Sequence, residues 1–137
     1  MKIISVLVTS IFISFIALGC GNNLKTPEGV AMEFFEALKK KDYDTIEKLF
    51  PEETIRKLKR DKVSLKVLFE SSKDRELNEL IELAPEVKAV RMVESTEGES
   101  GGTRFYVEFM ITFSDGSEDD TRWLMSKENG LYKIEDF

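Results

Sequence analysis

The chain contains no histidine. That removes the commonest general base, the commonest neutral metal ligand and the usual charge switch near neutral pH. Serine side chains are present, but none has an imidazole partner, so triad hydrolase chemistry is excluded. There is one cysteine, Cys20. No intrachain disulfide can form, and no second thiol is left for redox work. Basic excess is also missing: the formal charge is −6, with 20 basic against 26 acidic side chains. An acidic chain repels phosphate backbones, so nucleic acid is not an expected partner. Glycines are few, and Gly98, Gly101 and Gly102 link expected strands without opening a helix, which denies them the context of a phosphate loop. No cofactor is expected.

The chain does have one long uncharged apolar run. Met1-Lys2 precedes Ile3 to Leu18, interrupted only by Ser5, Thr9, Ser10 and Ser14. It falls short of the roughly 20 residues that span a bilayer comfortably and reads as an export leader. It ends in Ala17-Leu18-Gly19-Cys20. That ending resembles the lipobox of bacterial lipoproteins, with Ala17 where the pattern usually has Leu. The resemblance implies a signal peptide over residues 1–19, addition of a diacylglycerol bearing palmitate-type chains to the Cys20 thiol, and cleavage before it. Two acyl chains hold a protein firmly where one does not. The implied partner is therefore the lipid bilayer, and the implied location is the extracytoplasmic side of a bacterial cell membrane or outer membrane. Residues 20–25 are expected to be the lipidated cysteine and a tether, with Gly21-Asn22-Asn23 as a flexible polar spacer. Residues 26–137 are left for one folded domain.

Thr26-Pro27-Glu28 is a helix start: a capping hydroxyl, a proline suited to the first turn and an acid at the positive end. Ala31, Phe34, Phe35 and Leu38 follow at helical spacing. Asp42 or Asp44 is expected to cap a short second helix, with Ile46, Leu49 and Phe50 inward, which Pro51 ends. Ile55 and Leu58 suit another helix, and Leu65, Leu68 and Phe69 a further turn or two. Asp74 is expected to cap a helix with Leu77, Leu80, Ile81 and Ala84 aligned, closed by Pro85. The period then changes from 3.6 to 2. Strands are expected over 87–94, 103–113, 121–126 and 131–137. The second is the clearest: Phe105, Val107, Phe109, Ile111 and Phe113 share one face, while Arg104, Tyr106, Glu108, Met110 and Thr112 share the other. Asp115-Gly116 and Asn129-Gly130 mark turns. Short links favour antiparallel pairing. Helices first and a four-stranded meander second define an α+β domain, with the helices covering the apolar face of a curved sheet.

Residues 26–43, Thr-Pro-Glu-Gly-Val-Ala-Met-Glu-Phe-Phe-Glu-Ala-Leu-Lys-Lys-Lys-Asp-Tyr, resemble the opening of small envelope lipoproteins with a DUF4878-type domain. Trp123, Gly130, Leu131, Tyr132, Ile134 and Phe137 resemble the end of such domains. These are similar to the NTF2-like, cystatin-like cone. The resemblance implies a cone-shaped pocket between helices and sheet, but no particular reaction. Catalytic relatives usually place Asp and His in the cone, and this chain has no His to carry over.

Four residues are candidates for a pocket: Tyr106, Glu108, Trp123 and Tyr132. Glu108 shares its face with Arg104 and Tyr106, and a solvated cross-strand charge pattern is its plainer role. Were the facing reversed, Glu108 would be the one acid in the cone. Asp115, Ser117 and Asp119 match the start of a calcium loop only superficially. The bidentate Glu and the flanking helices are missing, so a solvated turn is expected and no metal site. Arg56, Lys57, Lys59, Arg60 and Lys62 form a basic cluster. It reads as the wet side of a helix, with anionic headgroups as the alternative partner. The leading functional expectation is a non-catalytic envelope module binding a protein, peptide or small molecule in or beside the cone. The alternatives are a structural or stress-related lipoprotein without a pocket, and an enzyme using Glu108.

Overall fold

The computed structural model describes residues 22–97 and 103–137. Cys20, the leader and Gly98, Gly101 and Gly102 lie outside the described residues. No described helix is long and apolar enough to cross a membrane.

Helix α1 spans Pro27–Lys40 and begins as its sequence dictates. The Thr26 hydroxyl accepts from the Gly29 N–H at 3.1 Å, one of the amides a helix start leaves unpaired. It buries Val30, Ala31, Phe34, Phe35 and Leu38. It ends at Lys41, whose φ of 56° is left-handed. There the Asp42 N–H donates to the Ala37 carbonyl at 2.9 Å and the Lys41 N–H to Leu38 at 3.1 Å, the paired bonds of a Schellman cap.

Helix α2 (Tyr43–Glu47) is capped by Asp42. Pro51 separates it from α3 (Glu52–Arg60), and α4 (Leu65–Glu70) follows a second left-handed residue, Lys62. Helix α5 (Arg75–Leu83) is capped by Asp74, which accepts from the Glu76 and Leu77 amides. A 3-10 turn over Ala84–Glu86, around Pro85, leads into the sheet.

Strands β1 (Val87–Glu97), β2 (Arg104–Phe113), β3 (Glu118–Glu128) and β4 (Leu131–Asp136) pair antiparallel in the order β1-β2-β3-β4. The protein is thus an α+β domain, helices first and a four-stranded meander second. Strands β1 and β3 run longer than expected. Glu118, Asp119 and Asp120 join the ladder opposite Thr112, Ile111 and Met110, because backbone pairing tolerates polar side chains where a sheet is open to water. Asn129 and Gly130, with φ of 54° and 82°, make the tight turn between β3 and β4. Irregular register in β1–β2 and β3–β4 marks bulges, which bend the strands they interrupt.

The face assignment of β2 holds. Val107, Phe109 and Ile111 are buried against the helices, together with Trp123 and Met125 of β3 and Ile134 of β4. The two edges differ. On β4, the Tyr132 N–H donates to the Leu24 carbonyl at 3.0 Å and the Ile134 N–H to Leu49 at 2.7 Å, so neighbouring segments cover that edge. The β1 edge is kept soluble by bulges and by Lys88, Arg91, Glu94 and Glu97.

The expected flexible spacer is docked from Asn22 onward. The Asn22 side-chain amide donates to Glu33 at 2.9 Å and to Glu36 at 3.1 Å on α1. The Asn23 carbonyl lies so close to Gly29 that a Cβ there would sit 1.7 Å from it. Only glycine admits that approach.

Candidate functional site

The space between the helices and the inner face of the sheet is occupied by the chain's own rings. Trp123 is fully buried at the centre, with ring centroids of Phe34, Phe35, Phe109 and Phe137 at 5.5, 5.8, 5.3 and 5.2 Å. Most meet edge to face, the arrangement that aromatic quadrupoles favour. Phe69 of α4 and Phe50 extend the cluster. The Trp123 indole N–H finds no acceptor among the described residues. The C-terminal Phe137 stacks on Phe34 at 5.0 Å.

The structure does not bring the four candidate pocket residues together. Alternation along paired strands sends Tyr106 and Glu108 to the outer face of the sheet and Trp123 to the inner one. Trp123 is core and lines no open concavity. Tyr132 lies at the far end of β4, its ring against Phe105 at 6.0 Å with the Lys127 ammonium 5.2 Å above it. Glu108 is therefore not an acid inside the cone.

On the outer face, Glu94, Thr96, Tyr106, Glu108 and Arg122 surround a shallow depression of about 150 Å³. Glu108 stands opposite Glu94 on one side and Arg122 on the other. The Arg122 guanidinium lies over the Tyr106 ring at 4.9 Å, a cation–π contact. Among the described residues no ion pair within 4.0 Å joins Glu108 to Arg122. This is a solvated cross-strand pattern with one aromatic in it. Glu94, Thr96 and Arg122 are the members that sequence reading missed; their cross-strand pairing with Glu108 and Tyr106 becomes visible only once the register is known.

Two wider clefts open on the helical side. One, of about 530 Å³, lies between the α1–α2 junction and the α3–α4 segment, where Lys41, Tyr43, Lys59, Val63 and Lys66 are among its walls. The Tyr43 hydroxyl donates to Glu70 at 3.3 Å, and burial, reinforced by the Glu70 charge, pushes its ionisation upward. The other, of about 320 Å³, lies between α5 and the start of β3, with Leu80, Leu83, Ile111 and Phe137 as its apolar part.

The acidic loop closes on itself. Asp115 accepts from the Ser117 hydroxyl at 2.6 Å and its amide at 2.9 Å, which holds its carboxyl below the usual range. Asp42 is lowered in the same way by the Thr45 hydroxyl and amide. Among the described residues no three His, Cys, Asp or Glu side chains are grouped to hold a metal ion.

The fold and its filled interior define a small α+β domain with no assembled catalytic constellation among the described residues. The profile of the family described as Domain of unknown function (DUF4878) matches residues 18–135, so the chain belongs to that family. No curated protein matches the chain. Among the solved structures that are similar to the chain are two at low identity. The solution structure of a SEC-C motif containing protein from Rhodopseudomonas palustris is 21% identical, with 83% of this chain and 78% of that one covered and a TM-score of 0.44. The crystal structure of a putative NTF2-like transpeptidase from Campylobacter jejuni is 14% identical, with 80% and 96% covered and a TM-score of 0.48.

Proposed function

We propose that this protein is a lipid-anchored module of the bacterial envelope, non-catalytic, that works through its outer surfaces rather than through an enclosed pocket. The observation that carries the reading is the filled cone. Where the family resemblance implies a cavity, Trp123 and Phe137 pack against Phe34 and leave aromatic contacts in its place. A binding site buried between helices and sheet would require those rings to move. The absence of histidine and the outward placement of Glu108 support the non-catalytic part. The anchor rests on the apolar leader that delivers Cys20.

Growth with an alkyne-bearing palmitate analogue tests the anchor. The mature protein is expected to carry the label, and Cys20→Ser to lose it and leave the membrane fraction. Label that persists on Cys20→Ser, or none on the native protein, removes the anchor.

A further inference from the structure

We infer that the α3–α4 segment is a docking surface for an anionic phospholipid bilayer. The inference extends the anchored-module reading but is carried by separate observations. The first is charge. Between positions 56 and 66 the chain holds six basic residues and one acid, in a protein whose formal charge is −6. Arg56 is engaged by Glu52 and Glu53, and Arg60 lies near Asp61 at 3.7 Å. Among the described residues no carboxylate lies within 4.0 Å of Lys57, Lys59, Lys62 or Lys66. All four are exposed.

The second observation is apolar exposure in the same place. Val63, Val67 and Leu68 are 38%, 58% and 41% exposed, three of the six large hydrophobic residues left open among the described residues, within six positions of the chain. A helix that wanted only water would carry polar residues there. Helix α3 has no fully buried residue, and α4 buries only Leu65 and Phe69. Exposed valine and leucine bordered by lysines are the two components of interfacial binding: apolar side chains enter the headgroup boundary, and ammonium groups meet lipid phosphates. Val63, Lys59 and Lys66 border one cleft, whose α1–α2 side carries Asp42, Asp44 and Glu47.

The third observation concerns reach. Asn22 is fixed to α1 through Glu33 and Glu36. An acylated Cys20 would sit two residues upstream, a span of at most about 7 Å. A domain held that closely must rest some face on the headgroups, and the basic, apolar segment is the face whose chemistry matches them.

Residues 22–137 hold the whole core found among the described residues, so the folded unit can be tested without Cys20. Docking then stands or falls independently of acylation. The unit is mixed with vesicles of phosphatidylcholine alone and of phosphatidylcholine with about one-third phosphatidylglycerol, and pelleted. It is expected to bind the anionic vesicles, weakly the neutral ones, and to be released by salt. Joint replacement Lys57→Glu, Lys59→Glu and Lys66→Glu is expected to cost at least about tenfold in partition. Val67→Ser with Leu68→Ser is expected to lower it several-fold, and Arg91→Glu on the outer sheet face to change nothing. Should the triple variant melt early, Lys57→Glu and Val67→Ser taken singly decide the matter. No binding to the anionic vesicles, equal binding to neutral ones, or undiminished binding by the folded variants overturns the inference.

Discussion

The body of the domain and its α3–α4 segment solve opposite problems with similar materials. In the body, α1 and the inner sheet face bring Phe34, Phe35, Phe109 and Trp123 into one buried cluster. In the segment, Val63, Val67 and Leu68 are just as apolar but stay open to water, between lysines. Burial in the first case follows from having a partner surface on every side. In the second, the short helices bury only Leu65 and Phe69, with Leu58 partly covered against the core. The contrast separates what holds the fold together from what is left available for contact with something else.

The largest effect should come from breaking the body. Phe109 is completely buried against Trp123. Phe109→Asp would bury an unpaired charge, and the domain is expected to unfold, with loss of the cooperative melt. A melt unchanged by that substitution would refute the facing of β2. Next comes the plug. Phe137 is only half-buried, yet it contacts the rings of Phe34, Phe50 and Trp123. Phe137→Ala is expected to cost about 2 kcal/mol, below the range for a fully buried ring. It should also let a hydrophobic dye bind where the native protein excludes it. If the variant keeps full stability and stays dark, the space between helices and sheet was not closed by this residue.

The division between the two regions was only half legible in the sequence. Helix α1, the five-residue stripe of β2 and the Asn129-Gly130 turn each carry a strong local signal, and the meander order follows from short links. The face of Glu108 also follows from alternation. Its grouping with Trp123 could not survive, because Trp123 pairs with Val107, one step out of phase with Glu108, and so points inward. Strand register, which decides that phase, depends on the whole sheet. The docking of Asn22 was invisible for a different reason: it depends on Glu33 and Glu36 sharing a helix face with a segment that sequence marks only as polar. Residues 52–72 gave mixed periodicity because they have little core to face.

The finest test of the contrast uses one motif that occurs in both regions. Helices α1 and α3 end alike, with lysine in the left-handed position: Lys41 at φ 56° and Lys62 at φ 58°. In α3 the Val63 N–H donates to Leu58 at 2.9 Å and the Lys62 N–H to Lys59 at 3.1 Å, repeating the cap of α1. A side chain in this conformation is strained, and glycine relieves it, at some cost in the entropy of the unfolded chain. Lys41→Gly is expected to raise global stability by roughly 0.5–1 kcal/mol. Lys62→Gly makes the same local gain, but in a helix with no fully buried residue. If α3 opens separately from the body, its gain should appear as slower amide exchange in α3 while the global melt barely moves. Equal shifts in the global melt for both variants would mean that α3–α4 unfolds with the core, and the segment would then be part of the body after all.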